Sequence, residues 1–212
     1  MKLLSTTGSN TKIAKSIKST GGEMRIASLS LMPDDKICPA RHLAGCADSC
    51  LNTAGRGSFS NVQQARRAKS QWWHDDRDAF LAQLRKEMHS FIKSCKRQGV
   101  VPVFRLNTIS DIQWEKFLDL DGEFGDAYFY DYTKLGYRLG RTPKNYRLMF
   151  SFSNRDEYQF QVTKALESGC PISVVFRGGL PNYFLGRPVI DGDESDIYNV
   201  NSGKVIIGLR AK

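Results

Sequence analysis

Met24–Arg25–Ile26–Ala27–Ser28–Leu29–Ser30–Leu31–Met32, closed by Pro33–Asp34–Asp35, decides the fold. Apolar residues at 24, 26, 29 and 31 come close to alternation, which reads as a β-strand. The Pro-Asp-Asp turn ends it. Cys38, Cys46 and Cys50 follow at once, three of the five cysteines, in a small-residue loop with Gly55 and Gly57 behind it. A strand that empties into a polar, thiol-bearing loop is how α/β folds build sites at strand C-termini.

The same rhythm recurs along the chain. Val100–Leu106 is a short apolar run after Gly99 and ends in Arg105, Asn107, Ser110 and Asp111. Ala127–Tyr132 ends in Asp131–Tyr132–Thr133–Lys134, and Tyr146–Phe152 ends in Ser151–Phe152–Ser153–Asn154. Pro171–Arg177 is a further buried strand, and Lys204–Leu209 is the last. Helices separate several of these strands. Asn61–Trp73 has Ser60 as a plausible N-cap. Asp75–Arg97 carries Phe80, Leu84, Met88, Phe91 and Cys95 at the 3.6-residue period before Gly99 stops it. Ser110 or Asp111 caps an expected helix over Ile112–Leu118, and Arg155–Ser168 is closed by Gly169. The pattern predicts one α/β domain over 23–212 with a largely parallel sheet of five or six strands, open or partially (β/α)-barrel-like, and the cysteine loop after the first strand. Residues 1–22 read as a flexible basic arm, rich in Ser, Thr, Gly and Lys, with a helical turn at Lys12–Lys18.

The 212 residues suffice for a full core. No apolar run approaches the roughly 18 residues that span a membrane, and Met1–Lys2–Leu3–Leu4 turns polar too soon for a signal-peptide core. The expected location is the cytoplasm. The net charge of +9 is lopsided: residues 1–100 carry 17 Lys and Arg against 8 Asp and Glu, while the rest is balanced. That asymmetry suits a polyanion such as nucleic acid, or simply a basic surface. Trp72–Trp73 could stack on bases, but packing between two helices reads better. No P-loop, Rossmann fingerprint or HExxH is present, and three histidines give hydrolytic triads little support.

Three thiolates at this spacing suit an iron–sulfur cluster of the 4Fe–4S type with one iron open, or zinc with His42, another residue or water as the fourth ligand. Iron–sulfur is placed first. The alternatives are buried thiols acting as small hydrophobes, or a disulfide with one free thiol. Cys95, on the apolar face of its helix, and Cys170, at a strand start, read as structural. The strand-end residues Asp111, Asp131 and Lys134 are candidate catalysts, and Arg105, Asn107, Ser110, Thr133 and Ser151 are candidate binding groups. Asp191, Asp193 and Asp196 form the densest acidic cluster, able to hold a divalent ion or move protons, or else to pair with basic residues. Its spacing begins like a calcium loop, but Ser202 stands where the final Glu belongs.

The chain resembles the phage "gene product 88"-type family. The resemblance rests on Asn10–Lys15, the Cys-Pro…Cys…Cys-Leu…Gly loop of 38–57, Arg105–Glu115, Tyr130–Lys134, Phe150–Ser153 and Val189–Asp196. It implies a phage or prophage gene acting in the bacterial cytoplasm. The order of parts also looks like a shortened radical S-adenosylmethionine barrel, which implies S-adenosylmethionine on the open iron. The spacing here is C-x7-C-x3-C, against C-x3-C-x2-C in those enzymes. Three functions follow: an iron–sulfur enzyme acting on nucleic acid or a nucleotide; a nucleic-acid or host-protein binding module with a structural metal; and a metal-dependent nuclease using the acidic cluster.

Overall fold

The computed structural model describes residues 1–6, 17–18, 21–47, 50–53, 55–193 and 195–211. Eight strands form one sheet: β1 (Met24–Ser28), β2 (Val101–Arg105), β3 (Tyr128–Thr133), β4 (Tyr146–Ser151), β5 (Ile172–Phe176), β6 (Tyr183–Phe184), β7 (Arg187–Asp191) and β8 (Ile206–Arg210). The order is β1-β2-β3-β4-β5-β8-β7-β6, and every pairing is parallel except β6 with β7. The sheet is therefore α/β and largely parallel, as its strand rhythm predicts. Among the described residues its end strands, β1 and β6, are not paired with each other.

From β1 to β5 each connection steps one place in the same direction, so the crossovers fall on one face. That face carries the main core. It packs under α1 (Ser60–Asp75), α2 (Arg77–Arg97) and α3 (Gln159–Ser168), with Phe80, Leu84, Met88, Phe104, Phe129 and Phe150 buried. The opposite face has a smaller cluster, Ile26, Val103, Tyr130, Met149 and Ile207, covered by Ile197 and Val200 of the short helix α4 (Asp196–Val200). Alternation along each strand thus feeds two faces of unequal depth. Cys95 is buried on α2, as its period requires.

Several expectations need correction. The strand number is eight because two short strands after Gly178–Gly179 form a hairpin, with Leu185 at φ 50° in its turn. The start of the expected arm is core: Leu3 and Leu4 are 0 % and 3 % exposed, and Ser5 makes an antiparallel bridge to Ser28. Their backbone N–H groups donate to the Glu87 carboxylate at 2.7–3.1 Å, and Lys69 Nζ donates to the Leu3 carbonyl. Most of residues 7–20, including Lys12 and Lys15, lies outside the described residues.

The helix expected at Ile112–Leu118 is a single 3-10 turn, Trp114–Lys116. Neither Ser110 nor Asp111 caps it. Asn107 Oδ1 takes the Ile112 N–H, the Ser110 hydroxyl and the Trp114 indole instead, which fixes the segment in a non-helical path. Helix α1 starts at Ser60 with no side-chain cap, and Asp76 caps α2 by accepting from the Ala79 N–H at 3.0 Å. Trp73 is 3 % exposed, with Phe80, Trp114 and Phe117 rings at 5.2–5.4 Å, so it is a packing residue and not a base-stacking one. Among the described residues no helix is long and apolar enough to cross a membrane.

Candidate metal centre

The cysteine loop is built on the C-terminal ends of the strands. β1 continues as extended chain through Leu29 and Leu31, both fully buried. Asp34 then folds the turn: its Oδ1 accepts from the Lys36 and Ile37 N–H groups at 2.9 Å, and its Oδ2 meets His74 Nε2 at 2.7 Å. The loop docks on each neighbouring strand end in turn. The Ile37 carbonyl accepts from the Asp111 N–H after β2. The Ala44 carbonyl accepts from Ser153 Oγ after β4 at 2.8 Å. Gly45, at φ 67°, lies so close to Arg155 that a Cβ would overlap the guanidinium.

All three cysteines are free and partly buried. The Cys38 thiol points to the Ile109 carbonyl at 3.6 Å and that of Cys46 to the Arg41 carbonyl at 3.5 Å, while Cys50 Sγ accepts from the Asn52 N–H. Burial pushes the Cys38 thiol well up, and the nearby Asp111, Cys50 and Cys46 add to the rise. Burial also pushes Cys46 up, opposed by Lys134. Lys134 Nζ donates to the Phe152 carbonyl at 2.9 Å and lies 5.6 Å from the Tyr158 ring centroid. On the far side, Arg66 donates to Asn52 beside Cys50.

The donor set fits a thiophilic centre: three sulfurs on one loop, with cations beside them. His42 Nε2 is engaged by Asp35 at 2.9 Å, which leaves Nδ1 as its ligating nitrogen. Among the described residues no three His, Cys, Asp or Glu side chains already stand at ligating separation. Asp48 and Ser49, which link Cys46 to Cys50, lie outside them.

The other candidate residues divide into two separate networks. Below the cysteine loop, Asn107, Ser110, Asp111, Asp131 and Thr133 are all buried and interlocked. Asp131 accepts from the Asn107 N–H at 2.8 Å and the Tyr146 hydroxyl at 2.9 Å. Asp111 accepts from Thr133 Oγ1, Arg138 Nη1 and the Lys134 N–H at 2.7–2.8 Å. Arg138 closes the network on Glu115. Burial lifts the Asp131 carboxyl to about 7, against the pull of the Asn107 N–H and Arg105. Polar groups so fully partnered hold loops together.

On the opposite face Arg105 Nη1 meets Asp196 Oδ2 at 2.7 Å, and the Tyr132 hydroxyl donates to Asp196 Oδ1 at 2.7 Å. Asp191 and Asp193 instead engage Arg210 at 2.7 and 3.3 Å, on the surface. The acidic cluster is therefore split, two carboxylates outside and one inside. The Ser151 carbonyl accepts from the Tyr158 hydroxyl at 3.3 Å. The sequence reading missed Arg138, Glu115, Tyr146 and Arg155. These lie in helices, in loops or at a strand start, where no periodicity marks them.

The family model described as Gene product 88 matches residues 2–212, nearly the entire chain. No curated protein and no solved structure matches it.

Proposed function

The chain belongs to the Gene product 88 family, and we propose that it is a metalloprotein holding an iron–sulfur cluster on Cys38, Cys46 and Cys50. The observation that carries this reading is that one loop at the C-terminal rim of the parallel sheet bears three free, partly buried thiols. Three sulfurs suit a centre with one open position, and a fourth ligand such as His42 through Nδ1 would close it as a structural zinc site. A cluster there would supply an iron able to bind a small ligand, S-adenosylmethionine among the options, and to pass it an electron. The chain's own residues hold the loop to the rim through Asp111, Ser153 and Gly45, and place Lys134 beside Cys46. An enzyme acting on a phage or host nucleic acid or nucleotide is the finer form of this proposal.

The test is anaerobic purification followed by iron, zinc and sulfide analysis. Iron and sulfide in equal amounts, with visible absorption bleached by dithionite and lost in Cys46→Ala, is the expected result. Zinc alone would make the loop a structural clip, and metal content unchanged by Cys46→Ala would refute ligation by this thiol.

A second reading rests on charge. The excess of 17 basic over 8 acidic residues in the first hundred suits a polyanionic partner, whose binding would weaken steeply with salt. A flat salt dependence removes it.

A further inference from the structure

Charge at the cysteine rim does not balance. Three cations stand at the cysteine loop with no ion pair among the described residues. Arg66 donates to the Asn52 and Gly57 carbonyls and to Asn52 Oδ1, and its buried Nε has no partner. Lys134 Nζ donates to a backbone carbonyl. The neighbouring carboxylate of Asp111 already has both oxygens taken by Thr133, Arg138 and the Lys134 N–H. Arg155 is exposed, and its guanidinium lies across the bare Cα of Gly45. Arg41 adds a fourth cation, at 3.7 Å from Asp35.

On the reading proposed above, on which this inference rests, three thiolates around a dipositive centre leave one net negative charge. That offsets one of the three unpaired cations and leaves two. Lys134 follows β3 and Arg155 follows β4, and these strands are neighbours in the sheet. Both flank Gly45–Cys46: Arg155 against Gly45, Lys134 within electrostatic reach of Cys46. We propose that Arg155 and Lys134 form an oxyanion subsite beside the thiol centre, which takes a phosphate or carboxylate group of the molecule the centre acts on. The guanidinium fork matches either group in two parallel hydrogen bonds, and the ammonium adds a point charge. Gly45 belongs to the subsite by what it lacks, since a Cβ there would overlap the Arg155 guanidinium and force it to shift.

The experiment titrates the reduced protein, metal-loaded and chelator-treated, with inorganic phosphate and separately with acetate. Ionic strength is held constant, and the backbone amide signals of the cysteine loop are followed. Metal and sulfide content are measured on the same samples. Saturable shifts are expected, with binding at least about tenfold weaker in Arg155→Gln and in Lys134→Met. Arg147→Gln removes an exposed cation near the start of β4 and should change nothing. Gly45→Ala should mimic Arg155→Gln while far-UV circular dichroism stays native. Tighter phosphate binding identifies a phosphate-bearing partner, and tighter acetate binding a carboxylate-bearing one. No saturable binding of either, or equal loss in Arg147→Gln, overturns the subsite. Iron and sulfide present without anion binding refute the subsite alone, and anion binding in a protein that never takes metal refutes the centre alone.

Discussion

Substituting Asp196→Asn tests whether the inner part of the acidic cluster is structural. The side chains of Asp196 and Arg105 are 1 % and 8 % exposed and meet at 2.7 Å. At an effective dielectric of about 20, opposite unit charges about 3.5 Å apart attract by about 5 kcal/mol. The amide would keep the Tyr132 hydrogen bond but leave the Arg105 guanidinium charged and buried. Breaking such a pair from one side costs about 3–5 kcal/mol, a large part of a domain stability of about 5–15 kcal/mol. Urea unfolding followed by tryptophan fluorescence should show the midpoint falling by about 2 M, for a slope of about 2 kcal/mol per M. The double variant Arg105→Met, Asp196→Leu should regain most of that loss, because an apolar pair leaves no charge stranded. A single-variant shift under about 0.5 M would refute the reasoning. A role for Asp196 as an acid or a ligand would then be favoured over a structural one.

Other consequences follow from the same contacts. The Asp131 carboxyl is lifted to about 7 in the fold by burial, against an ordinary 3.8. The stability it contributes is therefore present below about pH 3.8 and lost as pH rises through about 7. The stability of the protein relative to Asp131→Asn should fall across that window, and a constant difference in urea midpoints from pH 4 to 8 would contradict this. Glu87→Ala removes the acceptor of the Leu3 and Leu4 N–H groups and should cost about 1–3 kcal/mol. Hydrogen exchange at those two amides should quicken well beyond that at the α2 amides, whereas a uniform rise along the chain would show that the N-terminal segment is not held locally.

Much of the fold was legible because its strands are buried on both faces. Val101–Arg105 and Ile172–Phe176 are near-continuous apolar runs, the pattern parallel strands require. Helix α2 announced itself by Phe80, Leu84, Met88, Phe91 and Cys95, which are all buried. The misses have a common cause. Tyr183–Phe184 is a two-residue strand whose pairing depends on a turn with Leu185 at φ 50°, next to Gly186, and two residues carry no period. Leu3 and Leu4 are likewise two apolar residues at the start of a polar tract, and their burial is set by a carboxylate more than eighty residues away. Contacts that distant leave no trace in a local window.

The polar strand ends show where residue type stops being informative. Asn107, Asp131, Lys134 and Arg105 look alike in sequence, each a polar group at the end of an apolar run. In the fold they separate by how fully they are partnered. Every polar atom of the Asn107 side chain is bonded, and so are both carboxylate oxygens of Asp131. A ligand could recruit either only by breaking bonds whose loss leaves a buried group bare, at about 1–3 kcal/mol each. Lys134 gives its ammonium to one carbonyl, and Arg155 makes no ion pair among the described residues. Groups with hydrogen-bonding capacity to spare can meet a ligand at little cost; Arg105 keeps an unpartnered Nε but is held by Asp196 on the opposite face, whereas Lys134 and Arg155 stand at the cysteine loop. On the proposed reading the chemistry of the rim would rest with Cys38, Cys46, Cys50, Lys134 and Arg155, while the saturated network beneath them keeps the loop in place.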